Sequence, residues 1–341
     1  AGGCEMTTTT SDTPFPTYAE LVASGAYNQP TGDDGKAADT TGQATKSGEK
    51  VDIAALIAES KPKTLFERWK MRTLKDAYAP RPPVQYVVDG LFALPSLSVV
   101  YGSPGSMKSM VLADAAVCVA SGVPWLAPLP NEKGVKPFAT MQSPVLWIDY
   151  DNGTIRTDER FDALARARGL PDDAPIHYVS MAQPWLDAND GYMVRELAEA
   201  IIQLGVKLVI VDNLGLISGD ADENSADMVK VMGNLRRLAE DTGAAVVVIH
   251  HQRKGNLADR AGDLLRGHSS IEASLDLALL VTRENQEPKV FIRPTKVRGA
   301  SISAAVGAEF TFTHKNGTKE LESARFWGFP IVSRKEQENQ S

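Results

Sequence analysis

The sequence predicts an α/β fold, in which helices flank a mainly parallel β-sheet and an antiparallel extension follows near the C-terminus. Two observations predict it. From Val84 onward, short apolar stretches alternate with amphipathic ones, which is the pattern of repeated strand, loop and helix units. The short stretches are apolar at almost every position, as strands of a parallel sheet are when helices cover both faces.

Composition excludes several classes of protein. No apolar stretch approaches the length of about 18 residues that a membrane-spanning helix requires, so we expect no membrane protein. Two cysteines provide no disulfide framework, which favours a reducing compartment and a cytoplasmic location. The net charge of -7 argues against a surface covered with phosphate-binding Lys and Arg, so any nucleic-acid site must be local.

The chain divides by composition into four regions. Residues 1–50 are rich in Thr, Gly, Ser and Asp and carry too little apolar surface to offset the entropy cost of ordering, so we predict a disordered leader. Residues 51–81 are predicted to form a basic helical linker. Residues 82–332 form the predicted α/β domain, and residues 333–341 form a polar tail.

The linker carries a basic amphipathic pattern. Between Lys61 and Arg81, seven Lys and Arg accompany two acidic residues, which gives a local charge of +5. Apolar residues recur at helical spacing, so we predict one helix that ends at the proline-rich stretch Pro80–Pro83. This helix can pack on its own domain, or it can dock on a neighbouring subunit or on phosphates; the sequence leaves these alternatives open.

Apolar periodicity and turn residues locate the individual elements. The predicted strands of the parallel part are Leu97–Tyr101, Val145–Tyr150, Ile176–Met181, Leu208–Asp212 and Ala245–His250. The predicted helices are Lys108–Ala120, Thr154–Arg168, Val194–Leu204 and Ser225–Thr242. The strands predicted to form the antiparallel extension are Leu277–Thr282, Lys289–Pro294 and Ala308–Thr313.

A glycine-rich loop follows the first predicted strand. It reads Gly102-Ser103-Pro104-Gly105-Ser106-Met107-Lys108-Ser109 and precedes the apolar stretch Met110–Ala120, which is the context of a Walker A phosphate loop. Such a loop supplies backbone amides around a polyphosphate, a lysine for the β- and γ-phosphates and a hydroxyl for magnesium. We predict that residues 102–110 bind ATP, with Lys108 in the catalytic set and Ser109 on Mg²⁺. A chance glycine-rich turn is the alternative.

Met107 departs from the usual pattern, which has glycine before the lysine. A side chain with a Cβ pays an energetic cost when φ is positive, so such a conformation at Met107 would be strained.

A strand that ends in an acid supplies the second part of the predicted site. Lys207–Asp212 is apolar up to its final carboxylate, which is the Walker B pattern. We predict that Asp212 holds Mg²⁺ opposite Ser109 and belongs to the catalytic set. A helix-capping role is the alternative.

The catalytic acid must come from another strand, because Asn213 is not acidic. In the stretch Val145–Asp151, strand periodicity puts Asp149 and Asp151 on the same side. Asp151 lies where the carboxyl ends of parallel strands form a ligand crevice, so it can orient or deprotonate the attacking water. Its alternative is to cap the following helix together with Asn152.

Two histidines end the strand beside the predicted γ-phosphate site. The remaining histidines, His177, His268 and His314, show no metal-ligand spacing with them. We predict that His250 and His251 form a polar sensor of the γ-phosphate, of the kind that switches a loop after hydrolysis. Ordinary strand-end histidines are the alternative.

Taken in order, these motifs resemble the RecA-like P-loop fold, and specifically the RepA-type hexameric replicative DNA helicases of plasmids and phages. The resemblance runs from about Pro82 to Arg298. The segments that carry it are GSPGSMKS, VLWIDYDNG, KLVIVDN, VVVIHH, LLRGHSS and TKVRG, of which the last ends at Gly299. Each segment is short, whereas their order and spacing together are specific.

The resemblance implies roles for two of these residues. Asp151 takes the place of the family's catalytic Glu, with its carboxylate withdrawn by one C–C bond of about 1.5 Å, so slow hydrolysis is expected. His251 takes the place of the γ-phosphate sensor.

The same resemblance places a DNA-facing loop at residues 252–266. That loop has a local charge of +2 and contains the DNA-binding candidates Arg253, Lys254 and Arg260, whereas residues 213–227 carry a charge of -4. A solvated surface loop is the alternative.

Arg266, Lys296 and Arg298 are similar to residues that related ring ATPases insert into a neighbouring subunit's site. The resemblance makes them catalytic in trans. An isolated subunit is then expected to be nearly idle, since an arginine finger contributes about 10³ to 10⁵ in rate. A surface charge at a strand edge is the alternative for Arg298.

The resemblance implies an ATP- and Mg²⁺-dependent helicase that assembles as a hexameric ring around single-stranded DNA in plasmid or phage replication, with a primase or loader as a further partner. A second interpretation is a DNA-binding ATPase switch of recombination or loader type, without processive unwinding. A third makes the chain the ATPase part of a longer primase-helicase, because the polar leader and the start without Met are those of a fragment.

Overall fold

A computed structural model describes most of the chain. The described residues are 64–130, 132–219, 226–251, 269–283, 287–298 and 304–331. The chain divides into two units at the junction of Ala79 and Pro80, and each unit is described separately. The predicted leader and polar tail lie outside the described residues.

The described part of the first unit contains two short helices, α1 (Leu65–Trp69) and α2 (Leu74–Tyr78). The single continuous helix expected from the sequence pattern is wrong here, because the backbone turns at Lys70, whose φ of 51° is left-handed. Helix α2 starts at a capping box in which the Asp76 carboxylate accepts from the Thr73 amide at 2.7 Å. In the described part of this unit, the exposed large apolar side chains include Leu65, Trp69, Met71, Leu74 and Tyr78.

The described strands of the second unit form a small hairpin and one nine-stranded sheet. The strands are β1 (Gln85–Val88), β2 (Phe92–Leu94), β3 (Ser96–Gly102), β4 (Val145–Asp149), β5 (Ile176–Ser180), β6 (Leu208–Asp212), β7 (Ala245–His251), β8 (Leu277–Arg283), β9 (Lys289–Val297), β10 (Val306–His314) and β11 (Leu321–Phe329). The order across the sheet is β11-β10-β9-β8-β3-β7-β6-β4-β5, with β1 and β2 paired separately. The six strands from β8 to β5 run parallel, which confirms the predicted fold class.

The antiparallel extension begins one strand later than the sequence predicts. Strand β8 pairs in parallel with β3 and antiparallel with β9, so it closes the parallel part. The extension consists of β9, β10 and β11. Strand β11 is not predicted from the sequence, since its pattern becomes recognisable only through the alternate residues that it buries against the sheet.

Helices cover both faces of the sheet. The helices are α3 (Lys108–Ser121), α4 (Thr154–Arg166), α5 (Gly191–Leu204), α6 (Leu214–Ile217), α7 (Ala226–Thr242) and α8 (Ser269–Ser274). Helix α5 starts earlier than predicted because the Asp190 side chain caps it by accepting from the Tyr192 amide at 2.8 Å. The short helices α6 and α8 and the β1–β2 hairpin are not predicted from the sequence. Of the described helices, none is long and apolar enough to cross a membrane.

Two hydrophobic cores lie on opposite faces of the sheet. In β6, Leu208 and Ile210 join the core that contains α3 and α4, whereas Val209 and Val211 join the core that contains α5 and α7. Strand β7 alternates in the same way. The strands are therefore apolar on both faces, which explains their near-continuous apolar sequence.

The strand register brings several of the predicted site residues to one edge of the sheet. Gly102 at the end of β3 pairs with His251 at the end of β7, and Asp149 at the end of β4 pairs with Asp212 at the end of β6. Because these strands are parallel and adjacent, their carboxyl ends form a common crevice.

Candidate functional site

Two glycines shape the loop between β3 and α3. A Cβ on Gly102 would lie 2.2 Å from the carbonyl oxygen of Val281 in β8, so a side chain cannot be placed there. Gly105 has a φ of 78°, which glycine adopts without steric cost. The loop residues Ser103 to Gly105 are exposed and lead into the N-terminus of α3, where the helix dipole and free amides favour an anion.

Met107 adopts the positive φ that the sequence analysis identified as strained for a residue with a Cβ. Its φ of 72° and ψ of 17° are left-handed, which costs a residue with a Cβ about 1 to 2 kcal/mol. The Met107 carbonyl accepts from the Val111 amide at 2.9 Å and so starts α3. The partly buried Met107 side chain packs on the core, and this burial offsets part of the strain.

The Lys108 side chain turns back onto its own loop. Its ammonium donates to the carbonyl oxygens of Gly102 at 2.9 Å and Ser103 at 3.0 Å. Burial lowers the pKa of Lys108 from its ordinary value, and the nearby Asp212 and Asp151 partly restore it. A phosphate would be a stronger acceptor than these neutral carbonyls, so Lys108 is positioned to transfer to one.

Asp149, at the end of β4, is buried and fully hydrogen bonded. One of its oxygens accepts from the amides of Asp151 at 3.0 Å and Asn152 at 2.8 Å. The other accepts from the Thr157 hydroxyl at 3.0 Å and from Arg160 at 3.3 Å, which makes a buried ion pair. Asp149 therefore anchors the turn that carries Asp151.

Asp212, at the end of β6, is equally buried but lacks such partners. Neither carboxylate oxygen has a hydrogen bond of good geometry among the described residues, although the Ser109 hydroxyl lies close enough to influence it. Burial raises the pKa of Asp212 to about 6; the charges of Asp149 and Asp151 raise it further, while the Ser109 hydroxyl and Arg160 lower it. A buried carboxylate without a hydrogen-bond partner indicates a site that a ligand completes.

The groups around Asp212 fit a magnesium ion. Mg²⁺ prefers hard oxygen ligands, and Ser109 and Asp212 provide a hydroxyl and a carboxylate close to each other. The described residues contain no group of three or more His, Cys, Asp or Glu that could hold a metal on its own. Phosphate oxygens and water would therefore complete the coordination of an ion held by Ser109 and Asp212.

Asp151 lies just beyond β4, in a different environment from Asp149. Its side chain is 43% exposed, whereas Asp149 is fully buried. Strand β4 ends at Asp149, so the strand periodicity behind the same-side expectation does not extend to Asp151. Gly153, and neither Asp151 nor Asn152, is the N-cap of α4, which removes the capping alternative.

The Asp151 carboxylate meets two other side chains at the edge of the sheet. Its Oδ1 accepts from the Asn213 amide Nδ2 at 3.2 Å, and the His251 Nε2 lies 4.0 Å from the same oxygen. Burial lowers the pKa of His251, Lys108 lowers it further, and Asp151 opposes the shift, so the imidazole is neutral near pH 7. His250 is buried and pairs with Tyr101 in β3.

The structure places Lys296 and Arg298 away from this edge. Lys296 pairs with Ala278, and Ala278 pairs with Val99 in the middle of β3. The Arg298 guanidinium donates to the carbonyl of Ala273 at 2.6 Å, beyond the amino end of β8. Neither residue reaches the phosphate loop of its own chain. The other predicted residues, Arg253, Lys254, Arg260 and Arg266, lie outside the described residues.

Sequence reasoning passed over Asn213 as a site residue. The signal that could have found it is its place directly after the Walker B acid, on a strand adjacent to the one that precedes Asp151. Because Asn213 is not acidic, the motif pattern does not mark it as a candidate, although an amide can serve as a hydrogen-bond donor.

A cavity of about 290 Å³ opens beside the phosphate loop. Its lining includes Met110 of α3, Arg156 of α4 and two residues of β10, Phe312 and His314. A larger groove of about 860 Å³ runs along α4 and β5, and Glu159 of α4 lines both cavities.

A comparison with protein families matches residues 62–256 to a family described as an AAA domain. The match spans more than half of the chain and includes the phosphate loop, Asp151, Asp212 and His251. Among solved structures, one described as an ATPase domain is similar at 12% sequence identity and a TM-score of 0.48, covering 73% of this chain and 96% of that chain. The chain belongs to the AAA domain family and is a P-loop ATPase.

Proposed function

We propose that the chain is a replicative DNA helicase, which assembles as a hexameric ring around single-stranded DNA and hydrolyses ATP to move along it in the cytoplasm. The observation that carries the catalytic part is the buried carboxylate of Asp212. Its oxygens lack a hydrogen-bond partner among the described residues, and it lies at the same sheet edge as Lys108, Asp151 and His251. The DNA part is supported by the order of motifs that resembles plasmid and phage helicases.

Nucleotide binding begins at Lys108. The lysine exchanges its bonds to the carbonyls of Gly102 and Ser103 for the β- and γ-phosphates, and the amides of residues 102–110 surround the polyphosphate. The nucleoside part occupies the cavity beside Met110, where Phe312 offers an aromatic ring and Arg156 a positive charge.

Hydrolysis then uses Asp151. A water attacks the γ-phosphorus, the bond from that phosphorus to the β–γ bridging oxygen breaks, and the products are ADP and inorganic phosphate. Asp151 takes the proton that the water loses. When bound, Mg²⁺ neutralises the charge that develops on the phosphate oxygens.

His251 connects the reaction to the following segment of the chain. Its Nε2 lies 4.0 Å from Asp151, which supports a role for the histidine in sensing the γ-phosphate. The next residues carry the DNA-binding candidates Arg253, Lys254 and Arg260. Loss of the γ-phosphate would thus alter a DNA-binding loop.

Ring assembly completes the site. Lys296 and Arg298 do not reach their own phosphate loop, so they act together with Arg266 in the site of a neighbouring subunit. The exposed apolar side chains of α1 and α2, Trp69 and Leu74 among them, suit docking on another copy. A primase or loader is a further partner in replication.

Strand displacement tests this function. The full chain is mixed with a forked DNA duplex, ATP and Mg²⁺, and its mass is measured with and without single-stranded DNA. We expect displacement by an assembly of about six copies, and no displacement by Lys108→Ala. Removing residues 1–80 should weaken assembly if this region joins neighbouring subunits, and an unaltered mass would contradict that role.

A second candidate is an ATPase switch that binds DNA when ATP is present and hydrolyses slowly. It is favoured by Asp151, whose carboxylate is about 1.5 Å shorter in reach than that of a glutamate. ATP-dependent DNA binding without strand displacement would support the switch. Absence of ATP hydrolysis under all these conditions would contradict both candidates.

A further inference from the structure

The sheet register brings Asn213 to Asp151. Asp149 and Asp212 are paired on adjacent parallel strands, and the Tyr150 amide donates to the Asp212 carbonyl at 2.7 Å, which extends the ladder by one residue. Asp151 follows Tyr150 on one chain segment, and Asn213 follows Asp212 on the other. Their contact therefore follows from the backbone and does not depend on two flexible loops meeting.

The Asn213 side chain is turned toward the acid. It occupies the N-cap position of α6, where an asparagine usually accepts a bond from the first turn of its helix, and within the described chain it forms no such capping bond. Its Nδ2 instead donates to Asp151 Oδ1 at 3.2 Å, and its Oδ1 lies over Gly215, where an added Cβ would be 3.4 Å away. Asn213 is only 5% exposed, so packing restricts this orientation.

We propose that Asn213 is a positioning residue for ATP hydrolysis, and this inference rests on the proposed function. Asp149 holds the backbone of Asp151 but does not hold its carboxylate. The contacts of that carboxylate with Asn213 and His251 both fall on Oδ1. The Asn213 bond fixes the rotation of the carboxylate, so that Oδ2 is the oxygen that accepts the proton of the attacking water.

The chemistry of the position explains why an amide suits it. Asp149, Asp151 and Asp212 already place three carboxyl groups at adjacent strand ends. A fourth carboxylate at position 213 would repel Asp151, whereas an amide contributes a donor without adding charge. Replacement by aspartate should therefore be more harmful than replacement by alanine, although aspartate is closer in size.

Steady-state ATP hydrolysis by the full chain with Mg²⁺ and single-stranded DNA tests the proposal. We expect Asn213→Ala to lower kcat about tenfold, since a hydrogen bond to a charged group is lost, and to leave the dissociation constant for ADP unchanged within about twofold. Asn213→Asp should lower kcat further. The matched control is Ser218→Ala at the C-cap of the same short helix. It removes a hydrogen bond from the Ser218 hydroxyl to the Gly215 carbonyl at 3.2 Å and should leave kcat unchanged.

A double-mutant cycle with Asp151→Asn separates positioning from a structural role. If Asn213 acts through Asp151, Asn213→Ala should have little further effect on the rate of Asp151→Asn. An equal loss in both backgrounds would overturn the proposal. Thermal unfolding verifies that each variant is folded, and Asn213→Asp carries the same cycle if Asn213→Ala does not fold. Absence of hydrolysis by the unmodified chain would instead overturn the proposed function.

Discussion

Asp149 and Asp212 occupy the same register position on adjacent strands, and both are fully buried, yet their surroundings are opposite. Asp149 accepts from Asp151, Asn152, Thr157 and others and is paired with Arg160. Neither carboxylate oxygen of Asp212 has a hydrogen-bond partner in the described part of the chain. One carboxylate is satisfied by the protein itself, and the other is left for a ligand.

Under the proposed function, this difference separates a structural acid, Asp149, from a functional one, Asp212. Burying a carboxylate is costly unless hydrogen bonds or an opposite charge compensate, and Asp149 receives both. At Asp212 the cost of the buried charge persists in the free protein, in line with its raised pKa of about 6, and a bound cation would offset it. The two aspartates should therefore respond to substitution in opposite ways.

The largest expected effect is on turnover. Asp212→Asn should lower the rate of Mg²⁺-dependent ATP hydrolysis about 10³-fold, because a metal-holding charge is lost at the transition state. The same variant should keep or raise the melting temperature, since a buried charge without a partner is removed. Hydrolysis assays and thermal unfolding measure the two effects. A variant that is destabilised yet fully active would reverse the roles given to the two acids.

The next effect is on stability. Asp149→Ala should lower the free energy of unfolding by about 3 kcal/mol, because Arg160 and several buried donors lose their acceptor. The control is Asp162→Ala, which breaks the exposed pair with Arg166 and should change stability by less than about 0.5 kcal/mol. Denaturant unfolding compares them. Equal losses would show that Asp149 is not the anchor of its turn.

A smaller effect concerns pH. The folded pKa of Asp212 is raised to about 6, above its ordinary value of 3.8, so protons compete with Mg²⁺ as the pH falls below about 6. Below about pH 6, Mg²⁺ affinity in the presence of ADP should fall by up to about tenfold per pH unit. In the metal-free protein, ionisation of Asp212 lowers the free energy of unfolding as the pH rises from about 4 to 6. Calorimetric titration measures the affinity. A similar pH dependence in Asp212→Asn would assign it to another group.

The smallest effect tests strain at the phosphate loop. Met107→Gly should be more stable than Met107→Ala by about 1 kcal/mol, because only glycine adopts the left-handed φ of 72° without steric cost. The control is Gly233→Ala in the exposed middle of α7. Here alanine should be more stable than glycine by about 1 kcal/mol, because alanine favours the helix. Thermal unfolding of the three variants and the parent ranks them. Equal stability of the two Met107 variants would indicate that the loop relaxes.

The sequence predicted the parallel sheet well because its strands are buried on both faces and read as apolar runs. Strand Leu208–Asp212 is an example whose predicted and observed bounds coincide. The sequence pattern did not predict strand β11, because β11 buries only alternate residues. It also did not predict that β8 pairs in parallel with β3, because no local pattern encodes this pairing. The linker helix was predicted as one element because periodicity does not register the left-handed turn at Lys70.

For the candidate site, local sequence sufficed where a motif is continuous. The loop 102–109 and the strand that ends at Asp212 are recognisable because the chemistry needs particular residue types at fixed spacing. The sequence did not show that Asp149 is a buried anchor and Asp151 an exposed carboxylate, since both are aspartates two residues apart. Their difference arises where β4 ends and the chain turns.

Residue order alone therefore specified the fold class, the phosphate loop and the acid that fits magnesium, because backbone period and motif spacing are local properties. Tertiary structure decided which carboxylate is satisfied, which lacks a partner among the described residues, and that Asn213 meets Asp151. The physical reason is that hydrogen bonding and burial depend on neighbours brought in by parallel strand pairing, from about 60 residues away along the chain.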